Sequence, residues 1–508
     1  MDINIKNESL SVCSGICRTK NNFSTECDVI VPDSKPDIAK VLQLSAYPKI
    51  TGCETRSGRV IVSGTIKFNI LYLADNEEKC VKSITSSCEF SNIVRENAIG
   101  ESMLTFADID VSELGCSIAN CRKLTLRASL CMNVRVYSCY QLDLICALEG
   151  ACTKTRTLSS SVICAHAQSS ANITDSFELA PGKAQICEVL KADATVTDSE
   201  VKIIDDKAIV KGLARISVLY LSESGIEYAQ NEMSFAHILE ADGIRDDMDC
   251  EYCVKLLDVD AYSSENADGK RNVFELSAEL FFRVIARRSE SIECVTDAFL
   301  PHGNLECKYS PVCVDNIETI IKKDADLREK ITLPDSMPPI RSIYQVIARP
   351  FTESCISENG TLRTSGYTEV YLLYLTEDEN SPVYSYKADI DFSVVCESPG
   401  CSLTPVADSR LRNMSYTIDS DRCVDLRGCV DVSVQCIRTN ETDVLYSAAV
   451  GEYTPPERPS IIVSCVCQNR TLWDIAKEYS VAPEKILAAN ALENESDISP
   501  QGALIIPK

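Results

Sequence analysis

The residues best suited to chemistry in this chain are its cysteines, 27 among 508 residues, against only three histidines, His166, His237 and His302. Cys164 stands two positions before His166, the pairing that a thiolate nucleophile and its base would need. Partners in such sites normally come from distant parts of a chain, so this close pair is expected to be structural, with a cysteine hydrolase as the rival reading. Cys250-Glu251-Tyr252-Cys253 is a CxxC with no second pair to complete a four-thiolate zinc site, and Cys465-Val466-Cys467 places two thiols on one strand face without further ligands nearby. Neither a GxxxxGKS phosphate loop nor a GxGxxG turn occurs. No catalytic residue, metal or cofactor is therefore expected, and most cysteines read as small buried apolar residues or reduced thiols.

Composition narrows the partners. Hydrophobic residues at 45% and charged residues at 25% are ordinary globular values, which argues against wholesale disorder. A formal net charge of −25 repels phosphate backbones and anionic lipid surfaces, so nucleic acid is not an expected partner. The length suggests three or four domains. Met1 to Glu8 offers no basic start followed by an apolar stretch, and no apolar run approaches a membrane span, so a cytosolic protein without membrane insertion is expected.

What positions these residues is a repeat. Val31-Pro32-Asp33, Val62-Ser63-Gly64 and Leu71-Tyr72-Leu73 return as Leu179-Ala180-Pro181, Val210-Lys211-Gly212 and Leu219-Tyr220-Leu221. They return again as Leu333-Pro334-Asp335, Ser365-Gly366 and Leu373-Tyr374-Leu375. Proline to tyrosine spans 40, 39 and 40 residues, and glycine to tyrosine spans 8 each time. A second anchor, Leu126-Arg127-Ala128, Leu276-Ser277-Ala278 and Leu426-Arg427-Gly428, recurs at intervals of 150 residues, so each copy has the size of a domain.

Between glycine and tyrosine the pattern has period two: Ile66, Phe68, Ile70 and Tyr72 alternate with Lys67 and Asn69. Each repeat therefore reads as an antiparallel β-sandwich or barrel, and the repeated Gly64, Gly212 and Gly366 as bulges or close backbone approaches. A short helix is expected after the proline, over Asp37 to Leu44. Pro455, Pro456 and Pro459 mark a spacer, after which the rhythm changes to strand, helix, helix, strand. Thr471 and Asp474 form a capping-box pattern opening the first helix, and Pro483 can open the second.

Thr471-Leu472-Trp473-Asp474-Ile475-Ala476-Lys477, Ile486-Leu487-Ala488-Ala489-Asn490 and Leu504-Ile505-Ile506-Pro507 resemble the LysM domain, a small α+β fold, over residues 461–508. The three repeats resemble the SPOCS domain of endospore formers. The domain division is then an N-terminal segment 1–24, repeats at 25–168, 169–322 and 323–450, a proline-rich linker 451–460 and the LysM module. The combination is similar to clostridial spore-coat morphogenetic proteins. It implies a non-enzymatic scaffold of the mother-cell cytoplasm, recruited to the forespore surface by a SpoIVA-type coat ATPase and presenting further surfaces to other coat proteins. The partner surface it implies comprises Arg470, Thr471, Trp473, Lys477, Ile486 and Asn490. LysM domains commonly bind N-acetylglucosamine polymers, which keeps a peptidoglycan anchor as the alternative; here Gln468-Asn469-Arg470 replaces the Pro-Gly-Asp of the glycan-contacting loop. Trp473 either packs beneath the module or stands as a partner anchor, Lys477 is a solvated charge or a contact, and Asn490 is expected to cap the second helix.

Overall fold

The computed structural model describes residues 3–76, 80–378, 380–400, 402–454, 459, 462–465, 470–495, 498 and 502–507. Its first unit contains six strands: β1 (Asn4–Ile30), β2 (Ile38–Arg56), β3 (Arg59–Ala74), β4 (Val81–Arg95), β5 (Leu104–Asn120) and β6 (Lys123–Glu149). They form two antiparallel sheets, ordered β1-β6-β5 and β2-β3-β4. The alternating residues of β3 and β6 meet between these sheets, where Ile66, Phe68, Ile70 and Tyr72 pack against Leu124, Leu126 and Leu130. Removing each of these large side chains from water contributes about 1.5–3 kcal/mol.

The second unit repeats the plan with β7 (Cys152–Glu178), β8 (Ile186–Ile204), β9 (Lys207–Ser222), β10 (Gly225–Glu240), β11 (Asp249–Glu265) and β12 (Arg271–Phe299). The third does so with β13 (Leu305–Thr332), β14 (Ser342–Glu358), β15 (Thr361–Leu375), β16 (Val383–Glu397), β17 (Thr404–Ser420) and β18 (Cys423–Val450). Their sheet orders, β11-β12-β7 with β10-β9-β8 and β13-β18-β17 with β14-β15-β16, match the first unit strand for strand. The divisions expected at 24/25, 168/169 and 322/323 fall inside β1, β7 and β13, each the opening strand of its unit. The tail beyond is β19 (Ile462–Cys465), α1 (Leu472–Tyr479), α2 (Pro483–Ala489) and β20 (Ala503–Ile506), with β19 and β20 antiparallel. Half of the proline-rich linker, residues 455–458 and 460, lies outside the described residues. Among the described residues no helix is long and apolar enough to cross a membrane.

One expectation is overturned. Asp37 to Leu44 does not form a helix: β2 begins at Ile38 and pairs with β3 from Ile38 opposite Ala74. Register shifts at Ile38/Lys40 and Val41/Gln43 add residues to this edge strand, so Ile38, Val41 and Leu44 recur at a helical interval while lying in an extended chain.

The repeated anchors have distinct jobs. A Cβ added at Gly64 would stand 2.5 Å from Phe90 Cζ and closer still to the Lys49 carbonyl oxygen. Phe90 is the residue directly opposite Gly64 on β4. Gly212 with Phe235, and Gly366 with Phe392, reproduce the arrangement. Tyr72 and Tyr374 are fully buried and donate their hydroxyls to the carbonyls of Pro36 and Pro338. Pro32 and Pro334 open tight turns whose carbonyls accept from Lys35 N and Met337 N; in the second unit that turn opens at Ala180, which accepts from Lys183 N. Proline has moved one position to Pro181, which accounts for the spacing of 39 while the backbone register is kept.

The three units close on one another. Leu71 and Leu73 of the first, Leu190 and Leu219 of the second, and Tyr344 and Leu373 of the third share one buried cluster. The outer halves of β1 and β6 extend past β5 as a two-stranded stem, as do the corresponding halves of β7 with β12 and β13 with β18. All three stems meet through Leu10 and Leu144, Leu158 and Cys294, and Val314 and Val444. Cys13 and Cys139, directly opposed across the first stem with Cα atoms 4.2 Å apart, are joined as a disulfide, a pairing not expected from the sequence.

Candidate interaction site

The C-terminal module is built around Leu472, Ile475, Ala476, Ile486, Leu504 and Ile506, all buried. Thr471 caps α1: its hydroxyl accepts from Asp474 N at 3.3 Å while Asp474 Oδ2 accepts from Thr471 N at 2.9 Å. The donation from Thr471 N, with that from the Thr471 hydroxyl to the same oxygen at 2.8 Å, holds the Asp474 carboxyl below its ordinary range. Asn490 caps α2 and also ties it to β20. Its amide nitrogen donates to the carbonyls of Ile486 (2.7 Å) and Ile505 (2.8 Å), and its oxygen accepts from Ile505 N (2.8 Å).

Of the six residues expected to contact a partner, Thr471, Ile486 and Asn490 thus hold the module itself together, and Ile486 is wholly buried within it. Arg470 forms an ion pair with Glu478. Trp473 and Lys477, one turn apart on α1, face the end of β12. Trp473 Nε1 donates to Asp297 Oδ2 at 2.8 Å and Lys477 Nζ donates to Asp297 Oδ1 at 2.6 Å. Tyr309 on β13 donates to the same carboxylate at 2.7 Å. Burial works to raise the Asp297 pKa, but the donors Lys477, Trp473 and Tyr309 outweigh it and the carboxyl is held below its usual value. Phe299, two residues along β12, meets the Trp473 ring edge-on with centroids 5.1 Å apart. His302 N donates to the Ser480 carbonyl just past α1. Sequence reasoning missed Asp297 and Phe299 because they lie some 170 residues from their partners, with only their i, i+2 spacing as a signal.

Cys164 and His166 do not act together. The thiol lies at a register shift in β7 and donates to the Val162 carbonyl, and burial raises its pKa, the reverse of activation. His166 meets Phe106 edge-on with ring centroids 5.6 Å apart. Cys250 and Cys253, three apart on β11, project to opposite sheet faces and cannot share a ligand. The described residues do gather Asp324, Cys429 and Asp431, but the Arg412 guanidinium fills their centre, 2.9 Å from Asp324 and 3.1 Å from Asp431. Residues 466–469 lie outside the described residues, and with them the shared strand face expected of Cys465 and Cys467 and the loop at Gln468 and Asn469.

A second concentration of charge joins the first two units. Asp108 on β5 pairs with Arg283 at 2.6 Å and Lys255 at 3.7 Å, while Arg135 pairs with Glu251 at 2.7 Å. Arg135 and Arg283 also lie over the Phe106 ring. Burial opposes ionisation of Asp108, but Lys255 and Arg283 win and lower its pKa to about 2.

The chain is thus a thrice-repeated two-sheet β unit followed by a small strand-helix-helix-strand tail. The family model described as SipL, SPOCS domain matches residues 37–119 and 185–263, which correspond to β2–β5 of the first unit and β8–β11 of the second. These regions are similar to that domain, and the third unit shares their topology. No curated protein matches. The ferric yersiniabactin uptake receptor FyuA from Yersinia pestis is a solved structure with 10% identity and a TM-score of 0.12, over 86% of this chain and 80% of that one. A likeness so slight carries no argument about fold.

Proposed function

We propose that this protein is a non-enzymatic scaffold of endospore coat assembly, whose C-terminal LysM-like module docks on a SpoIVA-type coat ATPase at the forespore surface in the mother cell. The observation that carries the reading is the match of the SPOCS domain to two of three units with one topology. Beside it stands a separate βααβ tail whose sequence resembles LysM. On a polymerised ATPase many identical sites would add avidity to one modest contact, and the three units would offer further surfaces to coat proteins.

The test is capture of the ATPase by the full chain and by a chain lacking residues 459–508. Loss of capture on truncation is expected; undiminished capture would refute docking through the module. A parallel titration with N-acetylglucosamine oligomers, followed by the emission of Trp473, the single tryptophan, is expected to be flat. A saturable response to sugar with none to the ATPase would make the chain a cell-wall anchor.

A further inference from the structure

We propose that the Trp473–Lys477 face of α1 is a receptor for an extended segment carrying a carboxylate two residues before an aromatic ring, and that Asp297 and Phe299 of this chain fill it in the closed form. The inference deepens the docking reading above and rests on it.

The ligand chemistry is visible in the occupant. An indole N–H and an ammonium are donors only, so the group between them must accept from both. Asp297 does so with separate oxygens, Oδ2 to Trp473 and Oδ1 to Lys477. An amide, with one acceptor oxygen, cannot serve both in this way. Residues two apart on a strand project to one face, and residues four apart on a helix are neighbours, so an extended Asp-x-Phe segment presents its acid and its ring to Lys477 and Trp473 together. Phe299 supplies the ring, edge-on to the indole and packed with Leu472 and Ile475. A contact serving packing alone would need only the apolar part.

Eleven residues, 451–461, join Val450, the end of β18, to Ile462, the start of β19, so the module and its internal occupant belong to one chain. While tethered, the internal segment competes at a high effective concentration, so an external segment binds the closed chain weakly. A partner offering an acidic residue two places before an aromatic on an exposed strand or extended tail would displace it.

The probe is a ten-residue peptide copying residues 292–301 with serine in place of Cys294, titrated into the full-length chain and followed by Trp473 emission. Asp297→Ala opens the site, and Asp297→Asn retains the side-chain shape should the alanine variant fold poorly. In either variant the emission is expected to shift to the red, the peptide to reverse the shift, and its affinity to exceed that for the unsubstituted chain at least tenfold. A peptide with alanine at the aspartate position, or a chain also carrying Lys477→Gln, is expected to lose most of that binding. Equal binding of the acidic and alanine peptides would overturn the proposal, as would identical emission and affinity in closed and opened chains, or reversal of the shift by N-acetylglucosamine oligomers instead of the peptide. The peptide readout is independent of the ATPase. Specific peptide binding with undiminished capture by the truncated chain would sink the docking reading alone, whereas module-dependent capture without specific peptide binding would sink this one.

Discussion

At Gly64, Gly212 and Gly366 the missing side chain lets a phenylalanine ring of the neighbouring strand lie against the backbone of a central one. Gly64→Ala would force the new methyl into Phe90 and into the backbone carbonyl of Lys49, and backbone cannot step aside as a flexible side chain can. The expected cost is about 3 kcal/mol, the upper part of the range for overpacking, read as a lower urea midpoint at unchanged slope. Gly366→Ala should behave alike, whereas Gly115→Ala, whose nearest neighbour stands at 3.8 Å, should change stability little. Equal effects at Gly64 and Gly115 would remove the steric account. The glycines were legible as repeated positions where backbone comes close, as the carbonyls of Lys49, Asp198 and Phe351 do, but the facing phenylalanines were not. Phe90, Phe235 and Phe392 follow them by 26, 23 and 26 residues, an interval blurred by the differing turns between strands. Asp297 was less legible still, because a carboxylate acquires meaning as an acceptor only when folding brings Trp473 and Lys477 to it.

Elements were readable where the period was clean. The strands between glycine and tyrosine followed from strict alternation, and the capping box at Thr471 and Asp474 followed from two side chains three residues apart. Edge strands were harder, since β2 carries shifts at Ile38/Lys40 and Val41/Gln43, and β8 carries shifts at Ile186/Glu188 and Val189/Lys191. Inserted residues convert a period of two into intervals of three, which is why Asp37 to Leu44 imitates a helix. The long stems went unread although they too repeat: Leu144-Ile145, Cys294-Val295 and Val444-Leu445 stand at intervals of 150 residues and are buried where the stems meet, but adjacent apolar residues break the strict alternation that marks a strand. For α1 the caps make a prediction. Thr471→Ala deprives Asp474 N of its acceptor and Asp474 of a donor, at a cost of about 1 kcal/mol. Amide exchange in α1 should quicken roughly fivefold while protection in the three units stays constant. Faster exchange throughout would mean instead that the module and the units unfold together.

The whole molecule depends on three units that share cores yet are cemented by charge where the first meets the second. Asp108, Arg283, Lys255, Arg135 and Glu251 lie at that junction. Neutralising Asp108 takes the ion pair from Arg283, while Lys255 keeps Asp110 and Arg135 keeps Glu251, so Asp108→Asn should destabilise at neutral pH by about 3 kcal/mol, the lower part of the range for breaking a buried pair. The acid response gives an independent reading. Asp108 titrates near 2 in the fold against an ordinary 3.8, so its folded-state pKa is depressed. The stability it contributes is then complete above about pH 4 and lost as pH falls toward 2, roughly 2 kcal/mol over that window. Urea unfolding at pH 7, 4 and 2.5 should show the gap between the unsubstituted chain and Asp108→Asn held from 7 to 4 and narrowed at 2.5, where the aspartate is itself becoming neutral. A gap of constant size across all three would mean that the carboxylate gains nothing from Arg283 and Lys255, and that the junction is held by its apolar contacts alone.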